Sequence, residues 1–248
     1  MAENIENIRV GEFRFKAFAV DHSCSTMKVG TDGVLLGAWS DVDRSQALLD
    51  VGCGCGYIGL MLAARSTSVR LLRGVDIDSA SVCQAQHNYD ASPFNLDAKA
   101  VLCDFNVYAD CGVKYDLIVS NPPFFTAGVL PSLQARMNAR HTSSLSLSQL
   151  IEGASRLLSP DGRLCIVTPV ECRGEGIEAA TMSSMVVTRL TTVYPLAGQP
   201  PKRLLWEIRH RVATAGSLAC ETNQIVIKNS DRNYTGSYRR LVESLIWL

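Results

Sequence analysis

The chain has 248 residues, and its 24 Lys and Arg against 24 Asp and Glu give a formal net charge of zero. With 47% hydrophobic and 19% charged residues it is not a disordered chain, and zero net charge excludes a protein that grips nucleic acid over its whole surface while permitting a local basic patch. The longest apolar stretches, such as Tyr57 to Ala64, fall far short of the ~20 residues that cross a bilayer. Met1 to Arg9 carry Glu3 and Glu6 and no apolar run, so no signal peptide is expected and the protein is expected to be soluble and cytoplasmic. The nine cysteines form no regular frame. Cys53 and Cys55 make a Cys-x-Cys with no second pair or histidine cluster at zinc spacing, so reduced thiols and no metal are expected.

Residues 9–20 alternate in part, with Phe13 and Phe15 on one face, and predict a short β element. Thr31 or Asp32 is the candidate cap of a short helix carrying Val34, Leu35 and Trp39. Ala47 to Val51 predicts a strand that runs into Gly52-Cys53-Gly54-Cys55-Gly56, followed by a helix. A second strand, Val69 to Val75, ends in Asp76-Ile77-Asp78, and Ser79 to Tyr89 has helix composition. A third, Ala98 to Cys103, ends at Asp104-Phe105; a fourth, Tyr115 to Ser120, ends at Asn121-Pro122-Pro123-Phe124. Then come a helix from Leu147 to Leu158, a turn at Pro160-Asp161-Gly162 and a fifth strand from Arg163 to Thr168. Val186 to Tyr194 and Arg203 to His210 read as two final strands joined by a Pro/Gly-rich loop. The expected fold is α/β and doubly wound, a Rossmann-like, mostly parallel seven-stranded sheet with helices on both faces. One domain is expected: an extension over 1–45, a core over 46–210, and a strand and helix over 211–248.

In such sheets ligands bind outside the carboxyl ends of the strands. Every flagged motif lies at one. Glycines after a strand permit a tight turn and close backbone approach to a ligand. Asp50, just before them, is suited to accept from an ammonium group or to brace the loop. Asp76 is placed for two ribose hydroxyls, which a carboxylate binds strongly; Asp78 competes for that role or caps the next helix. Asp104 is suited to accept from an adenine amino group, with Phe105 packing on the ring. At Asn121-Pro122-Pro123-Phe124 two prolines end the strand, because neither has an N–H to donate. One amide, one carbonyl that only accepts and one aromatic face then meet at a stiff point. That is complementary to an exocyclic amino group on a flat ring.

Glycines, an acid, an acid and Asn-Pro-Pro-Phe at four successive strand ends resemble the class I S-adenosylmethionine-dependent methyltransferases, in the subgroup that methylates amino nitrogens of planar systems. The resemblance implies S-adenosyl-L-methionine as cofactor, with Asn121, Pro122 and Phe124 as catalytic residues. It implies cofactor contacts from Asp50, Gly52, Gly54, Asp76, Ile77, Asp104 and Phe105, joined by Thr31, Asp32 and Asn121. Phe15-Lys16, the run from Met27 to Trp39, Ala135-Arg136 with Ala139-Arg140-His141-Thr142, and Gln224 to Lys228 with Asn233-Tyr234, Tyr238 and Leu241 closely resemble the bacterial tRNA1(Val) (adenine(37)-N6)-methyltransferase family. Cys53 and Cys55 in the glycine loop and Phe at 124 depart from its pattern. This implies methylation of adenine 37, beside the anticodon, by a monomer or weak dimer, with no metal and no membrane. A loop base can be splayed out and stacked on an aromatic. Arg136, Arg140, His141, Lys202, Arg203 and Lys228 are the candidate RNA contacts. Guanine N2 of ribosomal RNA, glutamine N5 of a protein, and a non-catalytic RNA-binding protein on the same fold stay open; the short stretch before the glycine loop disfavours glutamine.

Overall fold

The computed structural model describes residues 11–25, 27–109, 112–122, 145–214 and 219–248. Its strands are β1 (Glu12–Arg14), β2 (Ala19–Asp21), β3 (Ala47–Val51), β4 (Leu71–Asp76), β5 (Asp97–Leu102), β6 (Tyr115–Ser120), β7 (Leu158–Pro169), β8 (Met185–Leu196), β9 (Arg203–His210) and β10 (Glu221–Lys228). Its α-helices are α1 (Thr31–Trp39), α2 (Tyr57–Arg65), α3 (Ser79–Asp90), α4 (Phe105–Tyr108), α5 (Leu147–Leu157), α6 (Arg173–Met182) and α7 (Gly236–Val242).

Alternation along the central strands decides the architecture. In β3, Leu48 belongs to one buried cluster and Leu49 to the other; in β6, Leu117 and Val119 oppose Ile118. Successive side chains of a strand point to opposite faces, so both faces are apolar and both must be covered. Leu35 of α1, Leu60 and Met61 of α2 and Tyr89 of α3 cover the first face. Leu150, Ile151 and Leu157 of α5 and Ala179 of α6 cover the second. Each fully buried leucine contributes about 1.5–3 kcal/mol over its exposed state.

Among the described residues the main sheet has eight strands in the order β10-β8-β9-β7-β6-β3-β4-β5, one more than expected. All pairs are parallel except those of β9 with β7 and β8. The added strand is β10, which pairs with β8 from Glu221↔Arg189 to Lys228↔Leu196. The twelve-residue β8 would otherwise present a long unpaired edge. Ile225 and Ile227 of β10 pack on the first core face, as do Tyr238 and Val242 of α7 and Phe15 and Phe18 beside the β1–β2 hairpin. The β1–β2 segment and the described C-terminal elements thus lie on that face.

Two local readings are corrected. Neither Thr31 nor Asp32 caps α1: Gly30 is the N-cap and no side chain caps it. The turn at Pro160-Asp161-Gly162 sits within one continuous strand, where the register jumps from Tyr115↔Leu158 to Leu117↔Arg163. A bulge absorbs extra residues without ending the pairing. Ahead of it, Ser146 and Gln149 form a reciprocal capping box that starts α5.

Candidate active site

The glycine loop leaves β3 in left-handed backbone that side chains disfavour. φ is +67° at Gly52, +55° at Gly54 and +80° at Gly56. Gly56 is also the N-cap of α2, and a Cβ there would come within 2.5 Å of Tyr89 Cε1. Around Gly52 the space that a Cβ would fill is open. Gly52 N–H donates to Val75 O at 2.8 Å, which pins the loop to β4, and Gly56 N–H donates to Cys53 O at 2.8 Å within the loop. Cys53 and Cys55 are buried, and burial pushes both thiols up, Cys55 to about 12. They are protonated, small packing groups; Cys53 Sγ lies 2.9 Å from where a Cβ on Gly74 would stand. Every described cysteine is a free thiol, and among the described residues no group of three or more His, Cys, Asp or Glu could hold a metal.

Asp50 braces this loop. Its Oδ2 accepts from Gly59 N–H at 3.1 Å, across the first turn of α2. Its Oδ1 is buried without a hydrogen-bond partner. Burial first, with the nearby Asp76 charge adding, raises the carboxyl from 3.8 to about 7, against the pull of the Gly59 N–H. The folded group keeps its proton between 3.8 and about 7 while the unfolded one loses it. Unfolding then releases a proton, so this contribution to stability falls as pH rises through that window and is level above it. Asp50→Asn is expected to remove it. Thermal midpoints of the ligand-free protein from pH 5 to 8 should show the variant gaining on the wild type as pH rises; a constant difference would discharge Asp50 from this role.

At the end of β4, Asp76 Oδ2 accepts from Gly54 N–H at 2.9 Å and Oδ1 from Asp78 N–H at 3.0 Å. Its carboxylate is thereby oriented beside the loop. Asp78 caps α3, accepting from Ser81 N–H at 2.9 Å, so of its two expected roles the structure shows the cap. Ile77 is 48% exposed, an apolar surface next to Asp76. Asp104 caps the short α4, accepting from Asn106 N–H at 2.8 Å. The expectation for the Phe105 ring is corrected: it is buried in the second core cluster. A Cβ on Gly153 of α5 would meet its Cε1 at 2.5 Å, so the ring fills the gap that this glycine leaves. A phenyl ring gains more from that burial than from an open loop, which leaves only its backbone for a ligand. Val107, 68% exposed on the turn after Asp104, is the apolar group that the sequence reading did not single out.

β6 lies directly beside β3, and Ser120 Oγ donates to Val51 O at 2.8 Å. This bond ties the strand that delivers Asn121 to the strand that delivers the glycines. Asn121 is half-buried and Pro122 buried. Phe124, Arg136, Arg140 and His141 lie outside the described residues. On the other side of β6 the same carboxyl edge turns basic. Arg203 opens β9 opposite Pro169, where β7 ends, and Lys228 closes β10 opposite Leu196. Lys202, Arg203 and Lys228 line a cavity of about 470 Å³ together with Thr31 and Asp32. Asp32 accepts from Arg203 Nε at 2.7 Å. Tyr234 and Tyr238 line the same cavity, with rings 5.2 Å apart and 24° from parallel. The sequence signal for them was the interleaving of basic and aromatic residues from Lys228 to Arg240.

The loop fits the expected cofactor on three observations: the open space at Gly52, the unpartnered Asp50 Oδ1 and the oriented Asp76 carboxylate beside exposed Ile77. A family model described as methyltransferase small domain matches residues 22–189. A tRNA1(Val) (adenine(37)-N6)-methyltransferase of Parabacteroides distasonis is 46% identical over 197 residues, covering 79% of this chain and 82% of that protein. One of Dickeya chrysanthemi is 38% identical over 236 residues, covering 94% and 93%. A solved predicted O-methyltransferase of Agrobacterium tumefaciens superposes with a TM-score of 0.66 at 17% identity, over 86% of this chain and 96% of its own. The 16S rRNA N2 G1207 methyltransferase of T. thermophilus, in complex with AdoMet and guanosine, gives 0.51 at 22% identity, over 75% and 45%. These two show the class I methyltransferase fold. With residues 22–189 matched by the family model and relatives 46% and 38% identical over most of its length, the chain belongs to the methyltransferase small domain family and, within it, to the tRNA1(Val) (adenine(37)-N6)-methyltransferases.

Proposed function

We propose that this protein methylates N6 of adenine 37 in tRNA1(Val), drawing the methyl group from S-adenosyl-L-methionine. The observation that carries the reading is the position of Asn121-Pro122, at the end of β6, between the glycine loop of β3 and the basic end of the sheet. Gly52 and Gly54 give the cofactor close backbone approach, and Asp76 accepts from its ribose hydroxyls. Ile77 and Val107 offer apolar flanks for its adenine, with Asp104 as acceptor for the amino group. When bound, the cofactor supplies an electrophilic methyl group on a cationic sulfur. The Asn121 amide oxygen and the Pro122 carbonyl accept the two N–H groups of the target amine, and Phe124 stacks on its ring. That amine is a poor nucleophile because its lone pair is delocalised into the ring. Two acceptors fix its direction and favour pyramidalisation, so orientation and fixed dipoles carry the rate. Arg136, Arg140 and His141, with Lys202, Arg203 and Lys228, are assigned to the RNA backbone.

The reading entails one domain over residues 1–248, acting in the cytoplasm as a monomer or weak dimer. Among the described residues no helix is long and apolar enough to cross a membrane. The test is incubation with labelled S-adenosyl-L-methionine and tRNA from cells lacking the enzyme, followed by mass spectrometry of the nucleosides. N6-methyladenosine at position 37 of tRNA1(Val) is the expected product. Label in guanosine or in protein would overturn the proposal.

A further inference from the structure

The cavity beyond β7 is more than a patch of positive charge. Its floor is apolar, with Leu35 and Val193 almost fully buried. Its wall is the stacked pair Tyr234 and Tyr238. Lys228 Nζ stands over the Tyr234 ring, 5.0 Å from its centre, and Arg239 Cζ stands over it at 6.0 Å. The Asp32–Arg203 ion pair, 2.7 Å between Nε and the carboxylate, lies in the same lining. An apolar pocket of about 470 Å³ with a few convergent polar groups has the size and make-up of a small-ligand site. An aromatic face flanked by cations is the recurring platform for an unpaired base and its phosphate.

This cavity is separate from the place of the reacting base. Asn121 and Pro122 are not among its lining residues. β9 is two positions from β6 in the sheet and β10 is four, and at ~4.8 Å per strand that puts the basic ends roughly 10 to 19 Å from the end of β6. It opens on the same carboxyl edge, so one RNA strand can reach both.

We infer that this cavity holds a second unpaired nucleotide of the RNA, next to or near the target adenine in the anticodon loop. Its base stacks on Tyr234 and its phosphate pairs with Lys202 and Lys228. Arg203, paired with Asp32 at 2.7 Å, adds a third cation on the backbone side. The site therefore reads the open conformation of the loop, and methyl transfer is coupled to the splaying of two bases rather than one. This rests on the reading of RNA as substrate.

The test uses the full-length protein and an unmodified tRNA1(Val) transcript, with abasic residues placed singly at each anticodon-loop position other than the target. Tyr234→Ala should raise KM for the transcript about 5- to 150-fold, the range of one lost base stack, and change kcat far less. Tyr234→Trp, which keeps an aromatic face, should restore KM. One abasic position should cost the wild type a similar factor and cost Tyr234→Ala nothing further. The effect of Lys228→Ala should shrink as salt rises, while that of Tyr234→Ala persists. The inference is overturned if every abasic position costs wild type and Tyr234→Ala alike, or if KM is unchanged in Tyr234→Ala. Cofactor affinity and the thermal midpoint separate a folding defect from a lost stack; should Tyr234→Ala be poorly folded, the abasic series is compared between wild type and Lys228→Ala instead. A wild type that leaves the intact transcript unmethylated refutes the RNA reading itself, a different outcome from a methylating enzyme indifferent to its flanking bases.

Discussion

Asn121→Ala is expected to lower kcat for methylation of tRNA by about 10²–10³-fold, the cost of removing one fixed hydrogen-bonding group aimed at the reacting centre. In the proposed mechanism the amide oxygen is one of two acceptors for the target amine, and without it the amino group rotates back into conjugation with its ring. Pro122 still offers its carbonyl, so residual turnover is expected rather than none. Because Ser120 and not Asn121 bonds to Val51, the strand end stays in place, and the thermal midpoint should move little. Cofactor affinity, measured by calorimetry on the RNA-free protein, should stay near that of the wild type. Single-turnover rates with saturating transcript are the deciding measurement; a variant as fast as the wild type would remove Asn121 from the chemistry.

Asp76→Ala should act on the other half of the site. A carboxylate accepting from two ribose hydroxyls makes two charge-assisted hydrogen bonds, each worth about 1.5–3 kcal/mol. Losing both should weaken cofactor binding by about 10²-fold or more. The change also strips the Gly54 N–H of its acceptor, so the loop itself loosens. Asp76→Asn separates the two effects. It keeps an oxygen for Gly54 N–H but gives up the charge, and it should bind cofactor more tightly than Asp76→Ala yet less tightly than the wild type. Equal affinity in all three proteins, by calorimetry with S-adenosyl-L-methionine, would move the ribose site elsewhere.

The strand ends were legible because local rules govern them. A short continuous apolar run marks a strand buried on both faces, a glycine run marks a backbone that must turn tightly, and two prolines mark where pairing must stop. The carboxyl-end placement of Asp50, Asp76, Asp104 and Asn121 follows from those rules alone. Asp78 likewise caps α3 because its partner is three residues away. Phe105 misled for the converse reason. Its neighbours in sequence suggest an open strand end, but the gap it fills belongs to Gly153, on α5, distant in sequence and packed on the same face of the sheet. Asp32 misled in the same way: an acid in the first turn of a helix resembles a cap, but its partner is Arg203, 171 residues on.

By itself, then, the sequence determined the sheet class, the positions of the glycine loop and the strand-end acids, and the place of Asn121 at the end of β6. All of these depend on patterns spanning a few residues, where backbone geometry leaves little choice. The tertiary structure alone decided that β10 extends the main sheet and that β9 runs antiparallel between β7 and β8. It alone brought Thr31, Arg203, Lys228 and Tyr234 around one cavity. Which strand adjoins which is set by how both apolar faces are covered together. Apolar burial rewards area rather than sequence position, so no short pattern encodes the partner that a side chain will meet.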